Sequence, residues 1–118
     1  MTAYAIAHFG QATPHRDLIE YVERIQSTLD PYEGRFLVHG GRREAVEGTW
    51  PGDVVMIRFP DMETARAWYG SPAYQELIPL RTPHLSGDIV LVEGVPEGYD
   101  PAAKAEFFRA ALEGGGQG

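Results

Sequence analysis

The sequence predicts an α+β fold in which an antiparallel sheet carries helices on one of its faces. Three observations predict it. Four short runs alternate in side-chain size or polarity with period two, as strands do. Helical segments between them start on a capping residue, two with Pro at the next position. The two kinds of element follow one another in the order β-α-β-β-α-β, with one more helix at the end.

Each element has its own local cause. Ala3–Phe9 (AYAIAHF) alternates and reads as a strand. Thr13-Pro14 then offers a hydroxyl cap and a first-turn proline, and Leu18, Tyr21, Val22, Ile25 and Leu29 recur at spacings of three and four. Asp30-Pro31 ends that helix. Arg35–His39 is the second strand, closed by Gly40-Gly41, and Glu44–Glu47 reads as a short extended piece. Trp50-Pro51-Gly52 turns the chain into Asp53–Phe59, the clearest strand. Asp61 caps a helix over Met62–Tyr69, with Gly70 expected as its left-handed terminator. Ser71-Pro72 restarts a helix through about Leu80, Asp88–Glu93 is the last strand, and Asp100-Pro101 starts a helix over Ala102–Leu112. Together these give the ferredoxin-like βαββαβ arrangement over residues 1–96, followed by a C-terminal helix and glycine-rich tail over 97–118.

Strand parity assigns the two sheet faces. Ala5, Ala7, Phe9, Phe36, Val38, Val55, Ile57, Phe59, Val90 and Val92 form a uniformly apolar set, expected to face the helices. The other set holds Tyr4, Ile6, His8, Arg35, Leu37, His39, Val54, Met56, Arg58, Ile89, Leu91 and Glu93. That face is too apolar to leave in water, which predicts a homodimer closed through the open faces. With β1 and β3 taken as parallel neighbours, His8 falls beside Arg58 and Arg35, and His39 and Glu93 lie toward the other end. An imidazole and two guanidinium forks suit a carboxylate or enolate, or else interface ion pairs.

Composition narrows the chemistry. The 118 residues contain no cysteine, which excludes disulfides, thiolate metal sites and thiol nucleophiles. Lys104 is the single lysine, and 17 acids against 10 bases give a formal charge of −7, opposing nucleic-acid binding. No stretch is long and apolar enough for a membrane span, nor does the N-terminus read as a leader, so a cytoplasmic protein is expected. His8, His15, His39 and His84 show no metal-binding spacing, so neither metal nor cofactor is predicted. Gly40-Gly41 lacks any phosphate-loop context. Trp50 reads as a pocket wall or a loop anchor, and Trp68, Tyr69 and Tyr74 as cavity lining or core. Ser71 is a helix cap rather than a nucleophile, having no GxSxG around it. Arg81 either reaches a cavity as an anion ligand or neutralises a helix end.

Arg35–Gly41 (RFLVHGG), Glu47–Trp50 (EGTW), Arg58–Trp68 (RFPDMETARAW), Tyr69–Tyr74 (YGSPAY), Arg81 and Ile89–Gly94 (IVLVEG) resemble the DUF1330 family over about residues 2 to 95. The resemblance implies a dimeric α+β barrel, a superfamily that includes cofactor-free monooxygenases, muconolactone-isomerase-like and EthD-like proteins and some haem-binding enzymes. His39 stands where the family phrase more often has Arg, and Ser86-Gly87-Asp88 replaces a Ser-Arg type approach to the last strand.

Three functions compete on this evidence. The first is a homodimer binding a small anionic or aromatic metabolite in a pocket at the open sheet face, with His8, Arg35, His39, Arg58, Trp50, Trp68, Tyr74 and Arg81 as ligand-binding residues. The second is a cofactor-free oxygenase or isomerase with His8 or His39 as base and Arg58 or Arg81 stabilising an enolate. The third is a structural or regulatory dimer without ligand.

Overall fold

A computed structural model describes residues 1–115. The end of the glycine-rich tail, 116–118, lies outside the described residues. The chain runs β1 (Ala3–Phe9), α1 (Arg16–Leu29), a 3-10 turn (Asp30–Tyr32), β2 (Arg35–His39), β3 (Asp53–Phe59), α2 (Met62–Tyr69), α3 (Pro72–Gln75), α4 (Ile78–Arg81), β4 (Gly87–Glu93) and α5 (Ala103–Gly115). The four strands form one sheet in the order β2-β3-β1-β4, all neighbours antiparallel. This is the ferredoxin-like architecture with an added C-terminal helix.

Strand direction corrects one expectation. A helical crossover makes β1 and β2 run the same way, so β3, turned back from β2 and lying between them, opposes both. Tyr4, not His8, therefore stands opposite Arg58, while His8 pairs with Val54. Arg35 does pair with Arg58 across β2 and β3.

Parity holds on β1 and β3 and fails on the edge strands. Ala3, Ala5, Ala7, Phe9, Ile57 and Phe59 are buried under the helices. A bulge between Phe36 and Val38 puts one extra residue into β2, so Val38 pairs with Met56 and His39 with Val55. Val38 thus moves to the open face and His39 to the helix side. On β4, Leu91 pairs with Ala5 and Ile89 with Ala7. Ile89 and Leu91 face the helices, and Val90 and Val92 lie on the open face at 54% and 41% exposure. Four consecutive apolar residues gave alternation nothing to read.

The helix ends show which caps won. α1 starts two residues later than Thr13-Pro14 suggests: His15 is its cap, Nδ1 accepting from the Asp17 amide at 3.0 Å. Thr13 spends its amide on the His84 carbonyl instead, at 2.9 Å. Asp61 caps α2 and Ser71 caps α3, each accepting from the amide three residues on. Gly70 has φ −81°, so no left-handed terminator is needed there. The helix expected from Ser71 to Leu80 is two short ones, α3 and α4, and the segment 44–47 is loop rather than strand. Phe107 and Phe108 on α5 are 66% and 65% exposed, against the burial their size predicts.

The core lies between α1, α2, α3 and the β1–β3 centre of the sheet: Ile25, Leu29, Ile57, Phe59, Trp68, Tyr74 and Leu77 over the β1 alanines. Gly52 is the glycine this arrangement most depends on. Its φ is +87°, and a Cβ there would overlap the Phe9 carbonyl at the end of β1. Gly48 has φ +68° but open space around it. In urea unfolding, Gly48→Ala should therefore cost about 1–2 kcal/mol, the left-handed penalty alone. Gly52→Ala should cost clearly more, because the backbone must also move; equal costs would show that the β1–β3 approach is looser than described.

Candidate functional site

The site grows from a shortage of side-chain volume on β1. Ala5 and Ala7 point at the helices with one methyl each, so helical side chains must span the gap. Tyr21 and Ile25 descend from α1, Trp68 from α2 and Tyr74 from α3. Where they stop short of the sheet, a partly open cavity of ≈ 40 Å³ remains over Ala5, Ala7, Val55 and Ile57. A wider cleft of ≈ 310 Å³ opens beside it between α1 (Leu18, Tyr21, Val22) and the end of the sheet (Phe9, His39, Val55). Phe9, Tyr21, His39 and Val55 line both, so the cleft is the mouth of the cavity.

The polar groups within this apolar shell are few and fixed. Trp68 Nε1 donates to Thr28 Oγ1 at 3.0 Å, and Thr28 donates to the Ile25 carbonyl at 2.7 Å. The Tyr21 and Tyr74 hydroxyls share a hydrogen bond of 2.7 Å. Burial, and then the neighbouring Tyr74, push the Tyr21 phenol well above the ordinary tyrosine range, and the charge and hydrogen bonding of Arg81 only partly offset this. Tyr21 is therefore a neutral hydrogen-bonding group at any physiological pH.

Arg81, at the end of α4, is 5% exposed. Its guanidinium carbon lies 5.3 Å from the centre of the Phe9 ring and 5.7 Å from that of Tyr21, both walls of the cleft. Its Nε is buried with no hydrogen-bond partner among the described residues. Arg24, Arg42, Arg43 and Arg109 each find a carboxylate, whereas Arg81 finds none among the described residues. A buried cation without a carboxylate partner is costly, so its surroundings favour an anion.

The predicted residues thus fall into three places. Trp68 and Tyr74 line the cavity, His39 stacks on Phe36 (4.5 Å, 15°) at its entrance, and Arg81 stands behind its wall. His8 lies on the open face at the same end of the sheet as His39. Its Nε2 is hydrogen-bonded to the Pro51 carbonyl, and its ring lies 5.0 Å from that of Trp50. Trp50 is exposed and lines a loop groove of ≈ 410 Å³ with Arg43 and Val54. Arg35 and Arg58 stand at the far end, four residues and about 13 Å along the sheet from His8, in a shallow groove of ≈ 210 Å³ with Glu33. The His8–Arg58–Arg35 grouping does not exist, because β1 and β3 run in opposite directions. The cavity also lies under the helices rather than at the open sheet face.

Sequence reasoning missed two features. Tyr21 was visible only as one apolar position on α1, though a tyrosine on a buried helix face signals that its hydroxyl needs a partner. His15, Asp17 and His84 come together across 67 residues, a distance no local motif spans.

A βαββαβ chain whose four antiparallel strands, in the order β2-β3-β1-β4, are backed by helices on one face belongs to the ferredoxin-like α+β class. Within that class the chain belongs to the DUF1330 family, a domain of unknown function whose profile matches residues 2–95. Comparison with curated proteins gives no sequence match. Among solved structures, a protein of unknown function from Rhodopseudomonas palustris has a TM-score of 0.61 at 10% identity, covering 80% of this chain and 83% of its own. SnoaB from Streptomyces nogalater, described as a cofactor-independent oxygenase, has a TM-score of 0.59 at 11% identity, with 84% and 98% covered. A dimeric ferredoxin-like protein of unknown function from Jannaschia sp. CCS1 has a TM-score of 0.55 at 11% identity, with 76% and 98% covered. At these identities the likeness is one of fold.

Burial of Tyr21 makes a sign-specific prediction. Its folded-state pKa is raised, so its contribution to stability is present below the unfolded phenol's value of about 10 and is lost as pH rises beyond it. Denaturation midpoints should therefore fall above about pH 10, and Tyr21→Phe should flatten that fall by about one proton's worth, about 1.4 kcal/mol per pH unit. An unchanged alkaline slope in the variant would mean that Tyr21 ionises freely in the folded chain.

Proposed function

We propose that the chain acts as a homodimer, joined through its open sheet faces, that holds a small aromatic or anionic metabolite in the cleft between α1 and the sheet. The observation that carries this reading is Arg81: a buried guanidinium with an unpartnered Nε, set against two aromatic walls of that cleft. The inner cavity has room for a few water molecules, since one needs about 10–15 Å³. The mouth, at ≈ 310 Å³, reaches the size at which small-molecule sites begin, about 300 Å³. A planar ring fits between Phe9, Val22 and His39, with a polar substituent turned inward toward the Tyr21–Tyr74 pair.

The homodimer rests on the other face. Ile6, Val38, Val54, Met56, Val90 and Val92 make a continuous apolar surface, and Leu37 on the bulge adds to it. A monomer rarely leaves such a surface in water. A sheet-to-sheet dimer covers it, and the Jannaschia protein of like fold is itself described as dimeric.

A cofactor-free oxygenase or isomerase is the second reading. His39 lines the cleft and Arg81 lies behind its Phe9 and Tyr21 walls, which supports a base beside a bound ring with a cation behind the wall; His8 and Arg58 do not share that cleft. SnoaB lends analogy of fold to this reading.

Sedimentation equilibrium should give twice the 13.0 kDa chain mass, and Met56→Asp should halve it; a monomer at micromolar concentration refutes the dimer. Binding is read from Trp68 fluorescence in a Trp50→Phe background, with benzoate-type carboxylates and neutral phenols as probes. Carboxylates should quench saturably, and Arg81→Met should weaken them roughly tenfold, the loss of a buried cation behind the wall, while sparing phenols. No saturable quenching by either probe, or an Arg81→Met variant that binds carboxylates equally well, removes the cleft as the site. Turnover of quinols under oxygen that His39→Gln abolishes without loss of binding would favour the second reading.

A further inference from the structure

The two arginines at the far end of the open sheet face form a charged feature that the cleft does not use. Arg35 on β2 and Arg58 on β3 stand directly opposite each other, one residue out of step with the buried Ile57, so both lie on the open face. Side chains so placed have Cβ atoms about 4.5–5.5 Å apart, and like charges there are destabilising. Tyr4 pairs with Arg58 from the other side, so a phenol and two guanidiniums make one row across β1, β3 and β2. The arginines line a groove of ≈ 210 Å³ together with Glu33 and Pro60.

Two observations point to an anion in that groove. The first is the pair itself. Neither arginine closes an ion pair among the described residues, although four other arginines of the chain do. The register keeps the two stems side by side, within reach of one anion, and an anion between them replaces a repulsion by two charged contacts. The second observation is Glu33, the one non-glycine with positive φ among the described residues, at +56°. Glycine adopts that conformation without steric cost and glutamate does not. The turn asks only for the conformation: Glu33 N donates to the Asp30 carbonyl and Gly34 N to the Leu29 carbonyl, each at 3.1 Å, bonds that glycine would make equally well. The strained position thus keeps a carboxylate in a groove with two guanidiniums, yet it pairs with neither. Asp61, the residue after Pro60, is already engaged, its Oδ1 accepting from the Thr64 amide and hydroxyl at 2.7 Å each.

We propose that Arg35, Arg58 and Glu33 form a phosphate-binding site at this end of the open sheet face. A tetrahedral oxyanion presents separate oxygen edges to two guanidinium forks at once, whereas a carboxylate has one edge, which a single fork fills. Glu33 supplies the selectivity. An ionised carboxylate only accepts hydrogen bonds, so it repels an anion unless that anion brings a hydroxyl. Inorganic phosphate carries one at neutral pH and sulfate carries none; a phosphate monoester qualifies through a neighbouring alcohol. The site lies across the sheet from the cleft and Arg81 and does not depend on what the cleft binds.

The test uses the full chain at constant ionic strength. Isothermal titration with inorganic phosphate should show one saturable site per chain, with sulfate at least roughly tenfold weaker. Arg35→Gln and Arg58→Gln should each weaken phosphate at least roughly tenfold, the loss of a charged hydrogen bond. Both positions are exposed, so far-ultraviolet circular dichroism should not change. Glu33→Gly should leave the urea midpoint unchanged or higher while erasing the preference for phosphate over sulfate. Glycerol 1-phosphate separates the two sources: tighter binding than free phosphate assigns the site to an organic phosphate, weaker binding to the free ion. Absence of saturable phosphate binding overturns the proposal. So does binding that both arginine variants keep and Arg81→Met loses, which would move the anion to the cleft. Equal affinity for sulfate in the unmodified chain overturns the role of Glu33. Because benzoate binding in the cleft is read from Trp68 fluorescence, failure of either test leaves the other untouched.

Discussion

The row of alanines on β1 is the constraint on which the rest of the structure depends. Ala3, Ala5 and Ala7 are all at least 95% buried, at the centre of the sheet, where larger residues would ordinarily fill the layer between strand and helix. With methyl groups there, the volume must come from the helices. This is why Trp68 and Tyr74 pack ring on ring at 4.2 Å, and why Phe59 reaches Trp68 at 5.3 Å. Long aromatic side chains fill such a gap less evenly than branched aliphatic ones, since each brings a rigid plane and a polar atom needing a partner. The cavity over Ala5 and Ala7, the tyrosine pair and the Trp68–Thr28 bond all follow from one choice of small residues.

The same choice explains how an acidic chain comes to hold a cation inside. With aromatic walls instead of aliphatic ones, the interior offers ring faces over which a guanidinium can lie, and Arg81 lies over two. Ring faces lower the cost of burying the charge without neutralising it. The formal charge of −7 therefore describes the surface, where Glu20, Glu44, Glu76 and Glu106 meet arginines in exposed pairs worth little each. Arg81 sets a cation behind the cleft's aromatic wall that net charge conceals, while Asp53, an acid on the cleft lining, is paired with Arg43.

Local pattern was enough for the elements but not for their relations. β1, β2, β3 and α2 occupy the spans that alternation and capping predict. Three relations escaped, each for a physical reason. The bulge after Phe36 adds a residue that pattern cannot see, because Leu37 and Val38 are both apolar; it alone carries His39 to the cleft. On β4, Ile89 through Val92 are all apolar, and only pairing with Ala5 and Ala7 decides which two face inward. The relative direction of β1 and β3 follows from connectivity, not from any residue, and an error there displaced His8 to the wrong end of the sheet. Trp68, Tyr74 and Arg81 could be singled out because large or charged residues on short capped helices must go somewhere particular. Asp17 and His84 could not, since nothing near either one announces the other.

The two faces of this sheet also show why burial and composition are separate questions. The helix side is closed by the chain's own aromatics, whereas the open side presents Ile6, Met56, Val90 and Val92 with Arg35 and Arg58 paired at one end. Two guanidiniums directly opposite each other repel, and among the described residues neither closes an ion pair, although Glu33 lines the same groove. An apolar stripe flanked by two facing guanidiniums is stable in isolation only at a cost in both hydration and charge. A second copy removes the first cost through area alone. It removes the second only if it brings acidic groups to that end.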